Sequence, residues 1–258
     1  MNKEVALNLI EKGLQMLREM EADLEHPPKV EPKVEETEDR PSAHDKNSKV
    51  LWYPLAKTDV TKMKTKGKYK DLYPKGAIVH FTAGRSLKGV SDAVNTSNYG
   101  ASQGYVYFTI SNDGSVIQGF SLDEYGSHAG VSSWPSLGEN VSKYLVGIEI
   151  CCAGQLDSKF TSWFGEKYSD NEVRHSDNVE NIQKGFYHKY TAAQEKALID
   201  LLCWLKHNNE EVFSFDHVLG HDEVATPKGR KNDPGASLSV TMPKFRQNLK
   251  AEYEKRYG

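Results

Sequence analysis

Residues 218–236, Val-Leu-Gly-His-Asp-Glu-Val-Ala-Thr-Pro-Lys-Gly-Arg-Lys-Asn-Asp-Pro-Gly-Ala, constrain the chain more than any other stretch. Pro227, Gly229, Pro234 and Gly235 prevent a continuous helix, so the segment is a turn-rich loop able to bring polar side chains to one point. Those side chains are an imidazole (His221), an amine (Lys231) and a carboxylate (Asp233). His and Asp suit Zn²⁺, and a catalytic zinc takes three protein ligands and leaves a fourth position open. Two of the three can come from this segment. The third must come from another element, and His80 is the candidate. It ends the apolar run Ala77-Ile78-Val79, and Ala83 and Gly84 leave room beside it. His217 competes with His221 but reads as a hydrogen-bonding residue of the preceding strand. Asp222 and Glu223 have ligand chemistry, yet read as solvent-facing or capping the next turn.

The surrounding pattern is of strands alternating with helices. Ala77 to Phe81 reads as a short buried strand, Gly89 to Ser97 as a helix, and Leu145 to Cys152 as a strand rich in β-formers. Tyr105 to Ile110 and Ser115 to Phe120 flank Asp113-Gly114, a hairpin signal because Asp-Gly tolerates positive φ. Thr191 with Gln194 forms a capping box for a helix to Asn208, whose apolar stripe is Ala197, Leu198, Leu201, Leu202 and Leu205. Val212 to Leu219 reads as a last strand delivering His221, and Thr241 to Tyr257 as a closing helix. The expected architecture is α/β, with helices against the faces of a sheet.

Three segments stand outside this pattern. Residues 3–25 read as an amphipathic helix, with Leu7, Ile10, Leu14, Leu17 and Leu24 on three- and four-residue steps. Glu21 interrupts the seam. The helix can pack on the main domain, self-associate as a short coiled coil, or dock on a partner. Residues 26–49, with Pro27, Pro28, Pro32 and Pro41 among charges, have the composition of a linker. The expected division is therefore helix 1–25, linker 26–49 and catalytic domain 50–258. Between Cys152 and Thr191 lies an insert carrying Trp163, Phe164, Tyr168, Phe186 and Tyr187, which reads either as a cleft wall or as surface packing.

Five blocks carry a family resemblance: His80-Phe81-Thr82-Ala83-Gly84, Ser127-His128-Ala129-Gly130-Val131-Ser132-Ser133-Trp134, Gly147-Ile148-Glu149-Ile150, Gly220-His221, and Lys231-Asn232-Asp233-Pro234-Gly235. In this order, they resemble the zinc-dependent N-acetylmuramoyl-L-alanine amidases of the type 2 superfamily. That superfamily includes phage lysozyme-like amidases and is related to peptidoglycan recognition proteins. The resemblance spans Ala77 to Phe245. It implies a central mixed sheet flanked by helices, with one zinc held by His80, His221 and Asp233 in a cleft. It also implies hydrolysis of the amide between N-acetylmuramic acid and L-alanine. Glu149 would be the general base and acid, Lys231 the oxyanion partner, and His128 and Trp134 substrate contacts. Trp134 can equally be packing. Phage-type members place a catalytic tyrosine near the Asp-Gly hairpin. Here alignment on Asp113-Gly114 puts Val106 at that place, between Tyr105 and Tyr107, and leaves the tyrosine's role open.

Composition narrows the partners. With 33 basic against 36 acidic side chains and a net charge of −3, no basic field is present to hold nucleic acid. Peptidoglycan or a muropeptide is the expected partner. Three cysteines, two of them adjacent, do not make a disulfide framework. No stretch is apolar enough to cross a membrane, and no secretory signal opens the sequence. The expectation is synthesis in the cytoplasm, with a holin-type route to the wall for a phage or prophage endolysin or a cell-wall hydrolase. The alternatives are a cytoplasmic amidase recycling anhydro-muropeptides and a non-catalytic peptidoglycan-binding protein, the latter disfavoured because all three ligand positions are filled.

Overall fold

The computed structural model describes residues 50–85 and 89–258. The expected helix 1–25 and linker 26–49 lie outside the described residues. Along the described chain come β1 (Ala56–Lys57), β2 (Gly67–Lys68), β3 (Gly76–Phe81), helix α1 (Val90–Gln103), β4 (Tyr107–Ile110) and β5 (Val116–Ile117). The short strands β6 (Glu124–Tyr125), β7 (Ser133–Trp134) and β8 (Gly138–Glu139) lead to β9 (Leu145–Ile150). An insert holds β10 (Gln155–Leu156), β11 (Val173–Ser176) and β12 (Gly185–His188). The chain then forms α2 (Ala192–Asn208), β13 (Val218–Gly220), the single-turn α3 (His221–Val224) and α4 (Met242–Tyr257).

The main sheet has the order β1-β5-β4-β9-β3-β13. Strands β4, β9, β3 and β13 run parallel, and β5 turns back antiparallel to β4, so the sheet is mixed, as expected. At the hairpin, Asp113 Oδ1 accepts from the Ser111 hydroxyl at 2.8 Å and from Ser115 N–H at 2.9 Å. Gly114 there takes φ 84°, a value a side chain would disfavour.

Residues alternate between the faces of a strand, and this alternation places the core and the site on opposite sides. Val79, Ile148, Phe108 and Val218 point into the large core, where they meet Leu198, Leu201, Leu202 and Leu205 of α2 and Phe245 and Leu249 of α4. Their neighbours Ile78 and Leu219 point to the other face and pack with Ala129, Val141, Leu145 and Val224. Burying a Leu, Val, Ile or Phe side chain contributes about 1.5–3 kcal/mol, so the large core dominates stability. Helix α2 begins at Thr191, whose Oγ1 accepts from Gln194 N–H at 3.1 Å while Gln194 Oε1 accepts from Thr191 N–H at 2.9 Å.

One reading of the sequence needs correction. The strand expected from Val212 reaches only Val218–Gly220; Phe215–His217 form a turn of 3-10 helix, which begins where Ser214 Oγ accepts from Asp216 N–H. Local side-chain capping there overrides the alternation of apolar residues. The insert is a three-stranded sheet, β10-β12-β11, and most of its aromatics serve its own packing: Phe160, Phe164 and Phe186 surround Ala153, Leu156, Tyr168 and Val173. Trp163 alone of the insert's large aromatics is strongly exposed, at 78%. Among the described residues, no helix is long and apolar enough to cross a membrane.

Candidate metal centre and active site

Parallel pairing brings the site together. His80 is the penultimate residue of β3 and pairs in register with Glu149 of β9, so the two side chains share a face. Gly220 of β13 pairs with Val79, and the chain turns into α3 with His221 as its first residue. Carboxyl ends of neighbouring parallel strands are where α/β sheets open to ligands. Asp233 arrives from the turn-rich loop, held to α3 by Asp222 N–H donating to the Asp233 carbonyl at 2.8 Å.

The three candidate ligands meet closely. His80 Nδ1 lies 3.0 Å from His221 Nδ1, and each lies 2.9 Å from Asp233 Oδ2. All three residues are buried. Their protonation follows from the far sides of the rings. His221 Nε2 sits 3.0 Å from the Ala129 carbonyl oxygen, which can only accept, so in the neutral ring Nε2 carries the proton and Nδ1 keeps the lone pair. His128 Nε2 sits 2.9 Å from the Leu145 carbonyl oxygen, so its Nδ1 is the lone pair and accepts from His80 Nε2–H at 3.1 Å. That leaves His80 Nδ1 unprotonated too. Burial, and then the neighbouring His221, push the His80 pKa down to about 4, and burial holds His128 well below its usual value, so both rings are neutral at pH 7.

Two imidazole nitrogens and a carboxylate oxygen thus face one another. That is a donor set for a cation, and two imidazoles with one carboxylate suit zinc. Tetrahedral zinc with bonds of about 2.0–2.1 Å has ligand–ligand edges of about 3.3 Å, so the residues fit with a small outward shift. Among the described residues this is the grouping of His, Cys, Asp or Glu able to hold a metal ion.

Glu149 stands beside this triangle. Its Oε2 is buried and has no hydrogen-bond partner, and burial first, then the Asp233 charge, raise the carboxyl pKa to about 8 against a lowering from Lys231. Strongly perturbed carboxyls of this kind mark functional sites. Lys231 is two residues before Asp233, and its segment is clamped by the insert: Gln183 Nε2 donates to the carbonyls of Gly229 at 2.9 Å and Lys231 at 3.3 Å, and Asn232 donates to Gln155 Oε1 at 2.8 Å.

The sequence profile of the N-acetylmuramoyl-L-alanine amidases matches residues 70–236, a span that holds every residue of this site. The chain belongs to that family. No curated protein matches it in sequence. Similar solved structures include AmpD, with 20% identity over 76% of this chain and 95% of that one and a TM-score of 0.49. They also include AmiD from E. coli, with 19% identity over 72% of this chain and 60% of that one and a TM-score of 0.47. The endolysin LysCS from Clostridium intestinale URNW has 16% identity over 78% of this chain and 98% of that one, with a TM-score of 0.41.

The amidase's other candidate residues lie outside the triangle. Trp134 packs, partly buried, against the cluster containing Ile78 and Leu219. Both ring nitrogens of His128 are engaged within the protein, which leaves none for a hydrogen bond to substrate. The Tyr107 hydroxyl donates to the Thr96 carbonyl on α1 at 3.1 Å, Tyr105 is exposed, and Val106 is buried against Gly126. His217 bonds Ser136 Oγ at 2.9 Å, away from the triangle. Asp222 and Glu223 do not face solvent: both are buried. Glu223 does cap, accepting from Gly220 N–H at 2.9 Å, and Arg246 grips it at 2.8 and 3.0 Å. Burial, then Glu223 and Asp233, raise the Asp222 pKa to about 8. The sequence also hid Tyr190, whose hydroxyl donates to the His80 carbonyl at 3.0 Å. Contacts to backbone carbonyls leave no motif. A cavity of about 490 Å³ opens beside the loop of His128, lined by Ser127, Gly130, Ser132, Asn140 and Thr226.

Proposed function

We propose that the amidase is zinc-dependent and cleaves the amide between N-acetylmuramic acid and L-alanine in peptidoglycan, as a phage or prophage endolysin or a bacterial cell-wall hydrolase does. One observation carries the metal: His80 Nδ1, His221 Nδ1 and Asp233 Oδ2 converge on one point at 2.9–3.0 Å from one another. Zinc bound there would act as a Lewis acid on the scissile carbonyl and lower the pKa of water toward about 7.

The chain's own groups supply the proton transfers. Glu149 takes a proton from the attacking water as the C–O bond forms, then delivers it to the amide nitrogen as the C–N bond breaks. Its buried, unpartnered Oε2 has a free lone pair for that proton, and its elevated pKa brings the carboxyl nearer to neutral pH. Lys231 places an ammonium against the oxyanion of the tetrahedral intermediate. The insert's hydrogen bonds to residues 229–232 hold the backbone that carries that amine.

Digestion of purified peptidoglycan tests this reading. The expected products are a free lactyl carboxylate on muramic acid and a free L-alanine amine, both abolished by chelator and restored by zinc. Cleavage of a glycosidic or interpeptide bond instead would overturn it. Release from soluble muropeptides with intact sacculi untouched would overturn the wall-lysing role and assign the recycling one.

A further inference from the structure

We propose that His128 is a positioning residue which, together with the carbonyl of its neighbour Ala129, fixes the ring orientation and tautomer of both imidazole ligands. This rests on the metal-centre reading above and goes beyond it. Leu145 C=O accepts from His128 Nε2–H at 2.9 Å, and His128 Nδ1 accepts from His80 Nε2–H at 3.1 Å, with the two rings edge to face at 85°. One residue on, the Ala129 carbonyl accepts from His221 Nε2–H at 3.0 Å. A single dipeptide therefore turns both Nδ1 atoms toward Asp233.

The brace is itself anchored. Leu145 opens β9 and pairs in register with Gly76 of β3, so the acceptor for His128 sits on the strand beside the one that carries His80. Ala129 N–H donates to Ser142 Oγ at 3.1 Å. Gly147, on the same strand, leaves the space that the imidazole fills: a Cβ there would lie 2.8 Å from His128 Cγ. Without an acceptor at position 128, His80 can place its proton on Nδ1, the atom needed as a ligand. Partners of this kind change metal affinity by about 10–100-fold when removed.

The test is zinc affinity, read by competition with a chromophoric chelator, for the parent, His128→Leu and His128→Asn, alongside melting of each metal-free protein. His128→Leu, which keeps bulk and loses the acceptor, should bind zinc about 10–100-fold more weakly. His128→Asn, whose Oδ1 can stand near the Nδ1 position, should remain within a few-fold of the parent. If His128→Leu does not fold, His128→Ala takes its place with the same expectation. Equal affinity of parent and Leu variant overturns the inference, and so does an Asn variant as weak as Leu. A folded parent that binds no zinc is a separate result, overturning the metal centre itself.

Discussion

Glu149→Gln should raise stability at alkaline pH while removing turnover, because the same burial that tunes the carboxyl also penalises its charge. The pKa moves from 4.5 to about 8, chiefly through desolvation and then the Asp233 charge. That rise corresponds to a ceiling of about 5 kcal/mol between the two protonation states. The folded-state pKa is raised, so the carboxyl's contribution is fully present below pH 4.5 and is lost as pH climbs through 8. Glutamine cannot ionise and escapes that loss, while an amide donor left unpaired at the Oε2 position costs about 1–3 kcal/mol. Urea unfolding of the metal-free proteins at pH 4 and pH 9 should therefore show the variant gaining on the parent by several kcal/mol across that range. Turnover of a muropeptide at saturating zinc should fall by about 10²–10⁴ with the metal retained. Undiminished turnover would refute the proton-transfer role. A stability difference independent of pH would refute the burial argument.

Two further substitutions probe separate links. Lys231→Met should keep zinc and the fold but lower kcat by about 10²–10³, measured by steady-state release of L-alanyl peptide. Thr191→Ala removes the cap that receives Gln194 N–H at 3.1 Å and should cost about 1 kcal/mol in thermal unfolding, with kcat unchanged because α2 lies on the face opposite the site.

Side-chain chemistry was legible in the sequence where it repeats a pattern of residue types, and lost where the partner is backbone. His80 and Asp233 lie 153 residues apart, yet a His at a strand end and a His-Lys-Asp group in a Pro-Gly loop suffice to pair them as candidates. The mixed sheet, the Asp113-Gly114 hairpin and the Thr191 capping box follow from local rules that tertiary packing leaves intact. His128 was read as a substrate contact because nothing in sequence shows that its two nitrogens reach Leu145 and His80. Asp222 and Glu223 looked solvent-facing because charge usually is; Arg246, arriving from α4, supplies the partner that makes burial of Glu223 tolerable. The strand at Val212 failed because Phe213 and Phe215 fill the core from a turn as well as from a strand.

The central claim, that His80, His221 and Asp233 share one cation, is tested most directly by counting metal on the intact protein. Native mass spectrometry after zinc loading and desalting should find one zinc per parent chain and essentially none on His80→Ala or Asp233→Ala. A parent without zinc, or variants that retain it stoichiometrically, would contradict the account.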